Sequence, residues 1–160
     1  VLNRGGFMKV VVMSDSHRRI GVIDKVMNAH PDANLFIHCG DFQDDIAYYA
    51  GLLVVAGNGD TDDRIPKEMI QTLMGHRIYV THSHRFPYIQ RHQHLVHKAK
   101  SLNCDIVLYG HTHIPHYEVI DGVTLINPGS LFYNRDYSKP SYVILNLDKD
   151  IKVEFVRLEG

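Results

Sequence analysis

Residues 105–113 have the sequence DIVLYGHTH, in which a short apolar run leads directly into two histidines separated by one residue. The apolar run is typical of a buried strand. Imidazoles beside the turn at the end of a strand can hold a metal ion, because neutral imidazole is a common metal ligand. An ordinary turn explains a lone pair of histidines equally well in a chain that has 12 of them. The interpretation therefore depends on whether ligand-type residues also follow other strands.

Three more apolar runs end in such residues. They are continuous and rich in β-branched side chains, which is typical of strands buried on both faces. The runs are residues 8–14, followed by Asp15-Ser16-His17; residues 35–39, followed by Gly40-Asp41; and residues 52–56, followed by Gly57-Asn58. Helical spacing over residues 20–30, with Ile20 on the apolar side, and a short helix at 46–50 separate these strands. This order predicts a mostly parallel sheet whose carboxyl ends share one ligand-binding edge.

The second half of the chain has a different pattern. A hairpin is predicted at 68–74 and 76–81, directly before His82, and a helix at 88–102 with Ile89 on its apolar side. Two late hairpins, at 117–126 and 141–158, alternate in side-chain character, which indicates one solvent-facing side. Together the two halves predict an α/β fold in which two mixed β-sheets pack face to face with helices outside.

Length and composition allow one domain of ordinary globular type. The chain has 160 residues, 44% apolar and 22% charged, and we assign residues 8–160 to a single domain and residues 1–7 to an extension that does not contribute to the site. A formal net charge of −1 argues against a dedicated nucleic-acid surface. No apolar run is long enough for a membrane span. Cys39 and Cys104 are isolated in apolar surroundings, which favours reduced thiols and a cytoplasmic protein.

The loops after the strands together supply a mixed oxygen and nitrogen ligand set without thiolate. The candidate ligands are Asp15, His17, Asp41, Asn58, His82, His111 and His113. Such a set suits Mn²⁺, Fe, Ni²⁺ or Zn²⁺, and seven side chains divide well between two ions about 3.5–4 Å apart that share one carboxylate. Gly40 and Gly57 allow the backbone to turn sharply and approach the ions. Taken singly, each of these residues has an ordinary turn or capping role.

The ordered motifs Asp-x-His, Gly-Asp, Gly-Asn, a lone His and Gly-His-x-His resemble those of the calcineurin-like metallophosphoesterases. The chain length, the Asn-Pro-Gly-Ser turn at 127–130 and the terminal hairpin resemble the small single-domain bacterial and archaeal phosphodiesterases of that superfamily. The resemblance implies a four-layer αββα sandwich. It also implies that Asp15, His17 and His113 hold one ion, that Asn58, His82 and His111 hold the other, and that Asp41 bridges them.

The expected activity is hydrolysis of a small phosphodiester. Two divalent ions, Mn²⁺ most of all, would acidify a bridging water, so that Asp41, Asn58 and His82 act in catalysis through the hydroxide they help to hold. The resemblance also makes a homodimer or homotetramer plausible, with no membrane partner. The alternative is a non-catalytic metal-binding scaffold that resembles a retromer subunit, but all seven ligand positions carry competent residues, which favours an enzyme.

One position departs from the family pattern. Many relatives have histidine directly after the Asn, where it is thought to protonate the leaving group, whereas this chain has Gly59. His84 is a candidate to replace that histidine or to contact the substrate. Arg18, Arg19 and Arg135 are candidate phosphate contacts, although a solvated helix start explains Arg18 and Arg19 as well. Asp60 is a candidate to orient one of the metal ligands without binding the metal itself, as carboxylates commonly do for metal-bound imidazole, although an ordinary turn aspartate explains it equally well. By contrast, His92, His94 and His97 are predicted to face solvent.

Overall fold

The strands form two five-stranded mixed sheets in a computed structural model that describes residues 6–159, so the assignment of residues 1–7 lies largely outside it. The strands are β1 (Met8–Met13), β2 (Leu35–His38), β3 (Leu52–Val54), β4 (Glu68–Leu73), β5 (His76–Thr81), β6 (Ile106–Tyr109), β7 (His116–Ile120), β8 (Val123–Asn127), β9 (Ser141–Leu147) and β10 (Ile151–Arg157). The first sheet has the order β10-β9-β1-β2-β3 and the second β4-β5-β6-β8-β7. Strands β1, β2 and β3 of the first sheet run parallel, as do β5, β6 and β8 of the second. Their carboxyl ends therefore lie at one edge of each sheet.

Three apolar clusters show that the layers follow the order helix, sheet, sheet, helix. One lies between the sheets and contains Val12 and Ile37 of the first sheet with Val80 and Leu108 of the second, all fully buried. The other two lie under α1 (Val22–Ala29) and α2 (Arg91–Ser101), on the outer faces of the two sheets. Alternate residues of each strand therefore face opposite clusters, as the period of a strand requires. This confirms the predicted α/β fold with two mixed sheets and helices outside.

Both helices begin later than their apolar spacing predicts. Ile20 is 99% exposed and α1 starts only after Gly21, whose left-handed backbone (φ 74°) breaks the helical path. Ile89 is 75% exposed and α2 starts after Gln90, which is also left-handed (φ 56°). Placing these two apolar residues on buried helix faces was therefore wrong. The segment at 46–50 is only a 3₁₀ turn, Ile46–Tyr48.

The late hairpins pair as predicted, but only their outer strands reach solvent. Every residue of β8 is buried, as are six of the seven in β9, whereas β7 and β10 lie at sheet edges and expose alternate or successive side chains. The prediction of one solvent-facing side was wrong for the inner strands, because β8 pairs with β6 and β9 with β1. Cys39 and Cys104 are buried free thiols. Among residues 6–159, neither helix has the length and apolar character needed to cross a membrane.

Candidate metal centre

Five of the loops that follow strands converge where the carboxyl ends of the two sheets meet. Asp15, Asp41 and Asn58 follow β1, β2 and β3 of the first sheet, and His82 and the 110–113 loop follow β5 and β6 of the second. Asp15 and His82 are fully buried, and Asp41 and His113 are 3% exposed. Charged side chains are rarely buried to this extent unless they are paired or bind a metal ion.

The imidazoles of His17, His82 and His113 are oriented by the same kind of hydrogen bond. In each, Nδ1 donates a hydrogen bond to an oxygen, which fixes the tautomer and leaves Nε2 facing inward. The acceptors are Gln43 Oε1 for His17 (2.9 Å), the Cys39 carbonyl for His82 (2.8 Å) and the Tyr133 carbonyl for His113 (3.0 Å). The three Nε2 atoms therefore point into one small volume, where the neutral form of each ring presents a lone pair.

The inward nitrogens meet the two carboxylates. Asp15 Oδ1 lies 3.2 Å from His113 Nε2 and 3.7 Å from His17 Nε2. Asp41 Oδ2 lies 3.4 Å from both His17 Nε2 and His82 Nε2. Two sets of ligand atoms each fit within 4.8 Å: Asp15 with His17 and His113, and Asp15 with Asp41 and His82. Asp15 belongs to both sets, and Asp41 Oδ2 is equally close to the imidazoles of His17 and His82, so both carboxylates face both groups of candidate ligands.

The atoms that lack partners also fit a pair of cations. Asp15 Oδ1 and His82 Nε2 are fully buried, lie 3.8 Å apart and form no hydrogen bond with any described residue. His17 Nε2 and His113 Nε2 lie 3.1 Å apart, and because both Nδ1 atoms already donate elsewhere, a hydrogen bond between them requires a proton on one of the two Nε2 atoms. Leaving buried acceptors unsatisfied costs about 1–3 kcal/mol each, and a divalent cation between them removes that cost. The side chains present therefore fit two divalent ions.

Charge coupling shifts the titration of the ligands. Burial alone raises the pKa of Asp15, but the imidazoles of His113 and His17 hold it well below its usual range. The Asp15 carboxylate, more than that of Asp41, raises the pKa of His17 above 6.5. Burial alone lowers the pKa of His82, yet Asp41 and Asp15 outweigh it and raise the pKa. Metal binding must therefore displace protons, so metal affinity falls as the pH falls.

Asn58 and His111 line the same cleft rather than its buried floor. The cleft has a volume of about 270 Å³ and is lined by His17, Asp41, Asn58, His111, His113, Phe132, Tyr133 and Arg135. The His111 ring centroid is 5.1 Å from that of His82, and Asn58 is exposed at the rim. The structure thus brings all seven predicted ligands to one site. Assignment of Asn58 and His111 to the same ion as His82 stays a prediction.

Glycine is required before three of the ligands because other atoms occupy the space of a side chain. A Cβ on Gly57 would lie 2.3 Å from Asp41 Oδ1, and one on Gly40 would lie 2.5 Å from His82 Nδ1. A Cβ on Gly110 would lie 2.1 Å from the hydroxyl of Ser14. Only Gly40 of the three also has a positive φ, of 110°. These glycines serve close approach more than turn formation.

Several ligands themselves have backbone conformations that side chains disfavour. The residues with positive φ include Asp15, His17, Asp41, His111 and His113, with values between 45° and 74°. Left-handed backbone costs about 1–3 kcal/mol for a residue with a side chain and concentrates at functional sites. The ligand loops therefore store strain that the surrounding packing has to offset.

Asp60 supports the ligand loops through their backbones. Its carboxylate accepts hydrogen bonds from the backbone N–H groups of Phe42, Gln43 and Gly57, at 2.7–3.2 Å. It therefore ties the Asp41 loop to the Asn58 loop instead of orienting an imidazole. That role belongs to Gln43, whose Oε1 accepts from His17 and whose Nε2 donates to the Gly59 carbonyl. Sequence reasoning missed Gln43.

Three other supporting residues were also missed. The buried guanidinium of Arg91 donates to the carbonyl and hydroxyl oxygens of Ser83, and the Ser83 hydroxyl donates to the Gly110 carbonyl. Asn127 Nδ2 donates to the Gly110 carbonyl and to Thr112 Oγ1. His38, whose pKa burial lowers to about 4, accepts from the Gly40 N–H and contacts the Ser16 hydroxyl. The Asn in the turn at 127–130 was the one signal available for any of them.

The predicted phosphate contacts separate into three cases. Arg135 lines the metal cleft, whereas Arg18 is exposed over a neighbouring cleft with Gln43 and Asp60. Arg19 donates to the carbonyls of Leu131 (2.7 Å) and Glu159 (3.1 Å). Its guanidinium is therefore engaged in anchoring the chain, and Arg135 is the best placed of the three to meet a substrate.

His84 lies beside the ligands from the second sheet. Its ring centroid is 5.4 Å from that of His82 and 6.2 Å from that of His111, and its buried Nδ1 has no hydrogen-bond partner among the described residues. Burial, together with His82, lowers its pKa below 6.5, so the ring is neutral at pH 7. It is therefore suited to hydrogen bonding with a ligand.

Comparison with known proteins agrees with the motif order and with the two-sheet geometry. The sequence model described as the calcineurin-like phosphoesterase superfamily domain matches residues 8–150. The chain belongs to this superfamily. Because the members of this superfamily are metallophosphoesterases, we assign the chain to the metal-dependent hydrolases. The buried histidines and aspartates described above are its candidate metal ligands.

Individual relatives support this assignment. The chain is 31% identical to a phosphodiesterase of Methanocaldococcus jannaschii, over 76% of this chain and 83% of that protein. It is also similar to the crystal structure of a predicted phosphoesterase from Streptococcus pneumoniae, with a TM-score of 0.84, 28% identity and coverage of 94% and 90%. Vps29 of Entamoeba histolytica shares the fold, with a TM-score of 0.77 at 19% identity and coverage of 95% and 100%.

Proposed function

We propose that this superfamily member is a phosphodiesterase that hydrolyses a small phosphodiester with two divalent ions. The observation that supports it most is the convergence of three imidazole nitrogens and two carboxylates at the floor of an open cleft. Two divalent ions against two carboxylates leave a net positive charge, which favours an anionic ester. The similarity to the archaeal phosphodiesterase supports the choice of a diester.

Each ion has a proposed set of ligands. Asp15, His17 and His113 would hold one ion, His82 with Asn58 and His111 would hold the other, and Asp41 would be shared between them. When bound, the ions supply Lewis-acid stabilisation of the phosphoryl oxygens and lower the pKa of a water nucleophile. The oxygen and nitrogen ligand set suits Mn²⁺ best, with Ni²⁺, Fe or Zn²⁺ as substitutes.

The protein's own side chains position the ester. Arg135 offers a fork of donors to a phosphoryl oxygen, and His84 offers an imidazole beside His82 and His111. A second cleft of about 550 Å³ shares Phe132, Tyr133 and Arg135 with the metal cleft and continues to Tyr137 and Pro140. Its aromatic wall has room for one ester substituent, which favours a planar group such as an aryl ring or a nucleobase.

Gly59 leaves the position of the usual acid without a side chain. Its N–H donates to Asp41 Oδ1 at 2.8 Å, and a Cβ would lie 3.0 Å from Gln43 Nε2 and 3.2 Å from Asp41 Oδ1. A histidine at 59 would therefore press on both the bridging carboxylate and the amide that orients His17. The leaving group must depart without an acid at this position, which favours good leaving groups.

The leaving-group preference gives the test of this proposal. Protein stripped of metal and reloaded with Mn²⁺ is expected to hydrolyse an aryl phosphodiester with a kcat/KM at least about 10²-fold above that for an alkyl monoester, since a general acid contributes that much or more. A panel of aryl diesters, alkyl monoesters and 2′,3′-cyclic nucleotides assayed at equal Mn²⁺ measures it. Equal rates on the activated diester and the alkyl monoester would contradict the proposal.

His111 and His113 provide a test of the proposal that the two histidines bind different ions. We expect His111→Ala and His113→Ala each to bind one Mn²⁺ equivalent fewer than the parent protein, and the double variant to bind none, because the two imidazoles serve different ions. Metal content after equilibrium dialysis measures this, with His94→Ala, an exposed histidine on α2, as the control. A double variant that still holds one equivalent would place both imidazoles on the same ion.

The alternative of a metal-binding scaffold has a distinct outcome. The fold shared with Vps29 shows that the architecture alone does not distinguish the two. Bound ions without turnover of any diester, together with tight binding of a protein partner, would support the scaffold. Cytoplasmic location and assembly as a homodimer or homotetramer are further parts of the proposal, the first supported by the two buried free thiols.

A further inference from the structure

A second group of metal-ligand side chains lies outside the site described above. His92 on α2 and His116 and Glu118 on β7 place one ligand atom each within 4.8 Å of one another. His116 Nε2 lies 2.9 Å from Glu118 Oε1, and His92 Nδ1 lies 3.7 Å from the same oxygen. The two imidazoles stack with centroids 4.3 Å apart and an interplanar angle of 13°. None of the three belongs to the candidate metal centre.

His92 is less exposed than its helical position predicts. His94 and His97 on the same helix are exposed, but His92 is only partly exposed, with its ring against Tyr109. Its Nε2 lies 3.0 Å from the Tyr109 hydroxyl, a group that is nearly fully buried. When Nε2–H donates to that oxygen, Nδ1 presents its lone pair toward Glu118. A hydrogen bond on the distal nitrogen is the usual means of orienting a metal-bound imidazole.

The spacing of the ligand atoms matches a tetrahedral site. Zn²⁺ binds His nitrogen and carboxylate oxygen at about 2.0–2.2 Å, so its ligand atoms lie roughly 3.4 Å apart. The two measured separations from Glu118 Oε1, 2.9 Å and 3.7 Å, lie on either side of that value. A cation takes the place of the hydrogen between His116 Nε2 and Glu118 Oε1, and that proton moves to His116 Nδ1 or to solvent.

Burial favours the neutral form of the His92 ring. Two stacked imidazoles repel each other when both are protonated, and burial, together with His116, lowers the pKa of His92 below 6.5. At pH 7 the His92 ring is therefore neutral, the form that binds a metal. Two imidazoles and one carboxylate with an open side toward solvent are the ligands of three-residue zinc sites, in which water completes the coordination.

We propose that His92, His116 and Glu118 bind a Zn²⁺-type transition-metal ion that joins α2 to the edge strand β7. Within residues 6–159 the strand pairs on one side only, with β8, so an ion held between it and the helix would stabilise the free edge of the second sheet. This site does not depend on the proposed phosphodiesterase activity. Zinc binding at these three residues can therefore be tested even if the protein hydrolyses no diester.

Zn²⁺ stoichiometry tests the proposal. Metal-free parent protein, His116→Ala, Glu118→Gln and the control His94→Ala are dialysed against Zn²⁺, and bound zinc is measured by mass spectrometry. The parent and His94→Ala are expected to bind one equivalent more than His116→Ala and Glu118→Gln. The same Zn²⁺ addition is expected to raise the Tm of the first two proteins by more than that of the last two.

Glu118→Gln distinguishes a loss of the zinc site from a loss of the fold. Glu118 is exposed and its replacement by Gln keeps the shape of the side chain, so a loss of zinc there does not reflect a loss of fold. Equal Tm values for the four metal-free proteins verify this. Equal zinc content in all four proteins would overturn the proposal, as would an equivalent lost from His94→Ala as well.

Discussion

Asp41→Ala is expected to leave a folded protein that retains neither ion tightly and cleaves an aryl diester about 10³-fold more slowly than the parent. One oxygen of this carboxylate faces His17 and His82 equally, at 3.4 Å from each Nε2, and the other accepts the Gly59 N–H. Removing it opens both groups of ligands at once. Loss of a single preorganised electrostatic group already costs about 10²–10³ in rate, and here the loss extends to the ions.

Metal content by mass spectrometry and kcat/KM on the diester give the two readouts for Asp41→Ala. Asp63→Ala is the matched control, because Asp63 is an exposed aspartate in the loop after β3 and is not one of the proposed ligands. It should keep both ions and full activity. An Asp41→Ala protein with two tightly bound ions would show that this carboxylate does not bridge them, whatever its activity.

Gly57→Ala is expected to have the second largest effect, although it adds a single methyl group. The new Cβ would lie 2.3 Å from Asp41 Oδ1 and 2.4 Å from Asp41 N, so one of the two ligand loops must move. Overpacking of this kind costs about 1–3 kcal/mol. A displacement of the reacting groups by about 1 Å lowers activity about 10²-fold. We therefore expect a lower Tm, weaker metal binding and a matching loss of rate.

Gly75→Ala separates the clash at Gly57 from general backbone strain. Gly75 has a φ of 81° in the β4–β5 turn, and a Cβ there has no atom within 4 Å. This control should lose stability by about 1–2 kcal/mol from left-handed strain but keep its metal content and activity. If Gly57→Ala binds both ions as well as the parent does, the close approach of the two loops does not determine the site.

The sequence was sufficient to predict the positions of the ligands because each follows a strand. Buried strands have a strong apolar signal, and Asp15, Asp41 and His82 occur directly after three of them. Since parallel strands end at a common edge, a one-dimensional order of motifs was enough to predict a three-dimensional cluster. The two-sheet architecture followed from the same strands and the hairpins.

The sequence was not sufficient for features that depend on distant neighbours. The inner strands β8 and β9 alternate in character, yet each is covered on both faces, because their sheet partners come from elsewhere in the chain. Gln43 and Arg91 support the ligand loops through contacts that no local sequence pattern predicts. Asp60 binds backbone N–H groups, a role indistinguishable in sequence from that of an ordinary turn aspartate.

The contribution of both sheets to each group of ligands has a consequence for how long the folded protein survives. Asp15 and Asp41 come from the first sheet and His82 and His113 from the second, so neither sheet alone offers a complete coordination sphere. Ions can therefore bind only after the sheets have docked, which slows unfolding without accelerating folding. With the proposed ions bound, the protein is therefore expected to resist proteases for longer than the metal-free protein does.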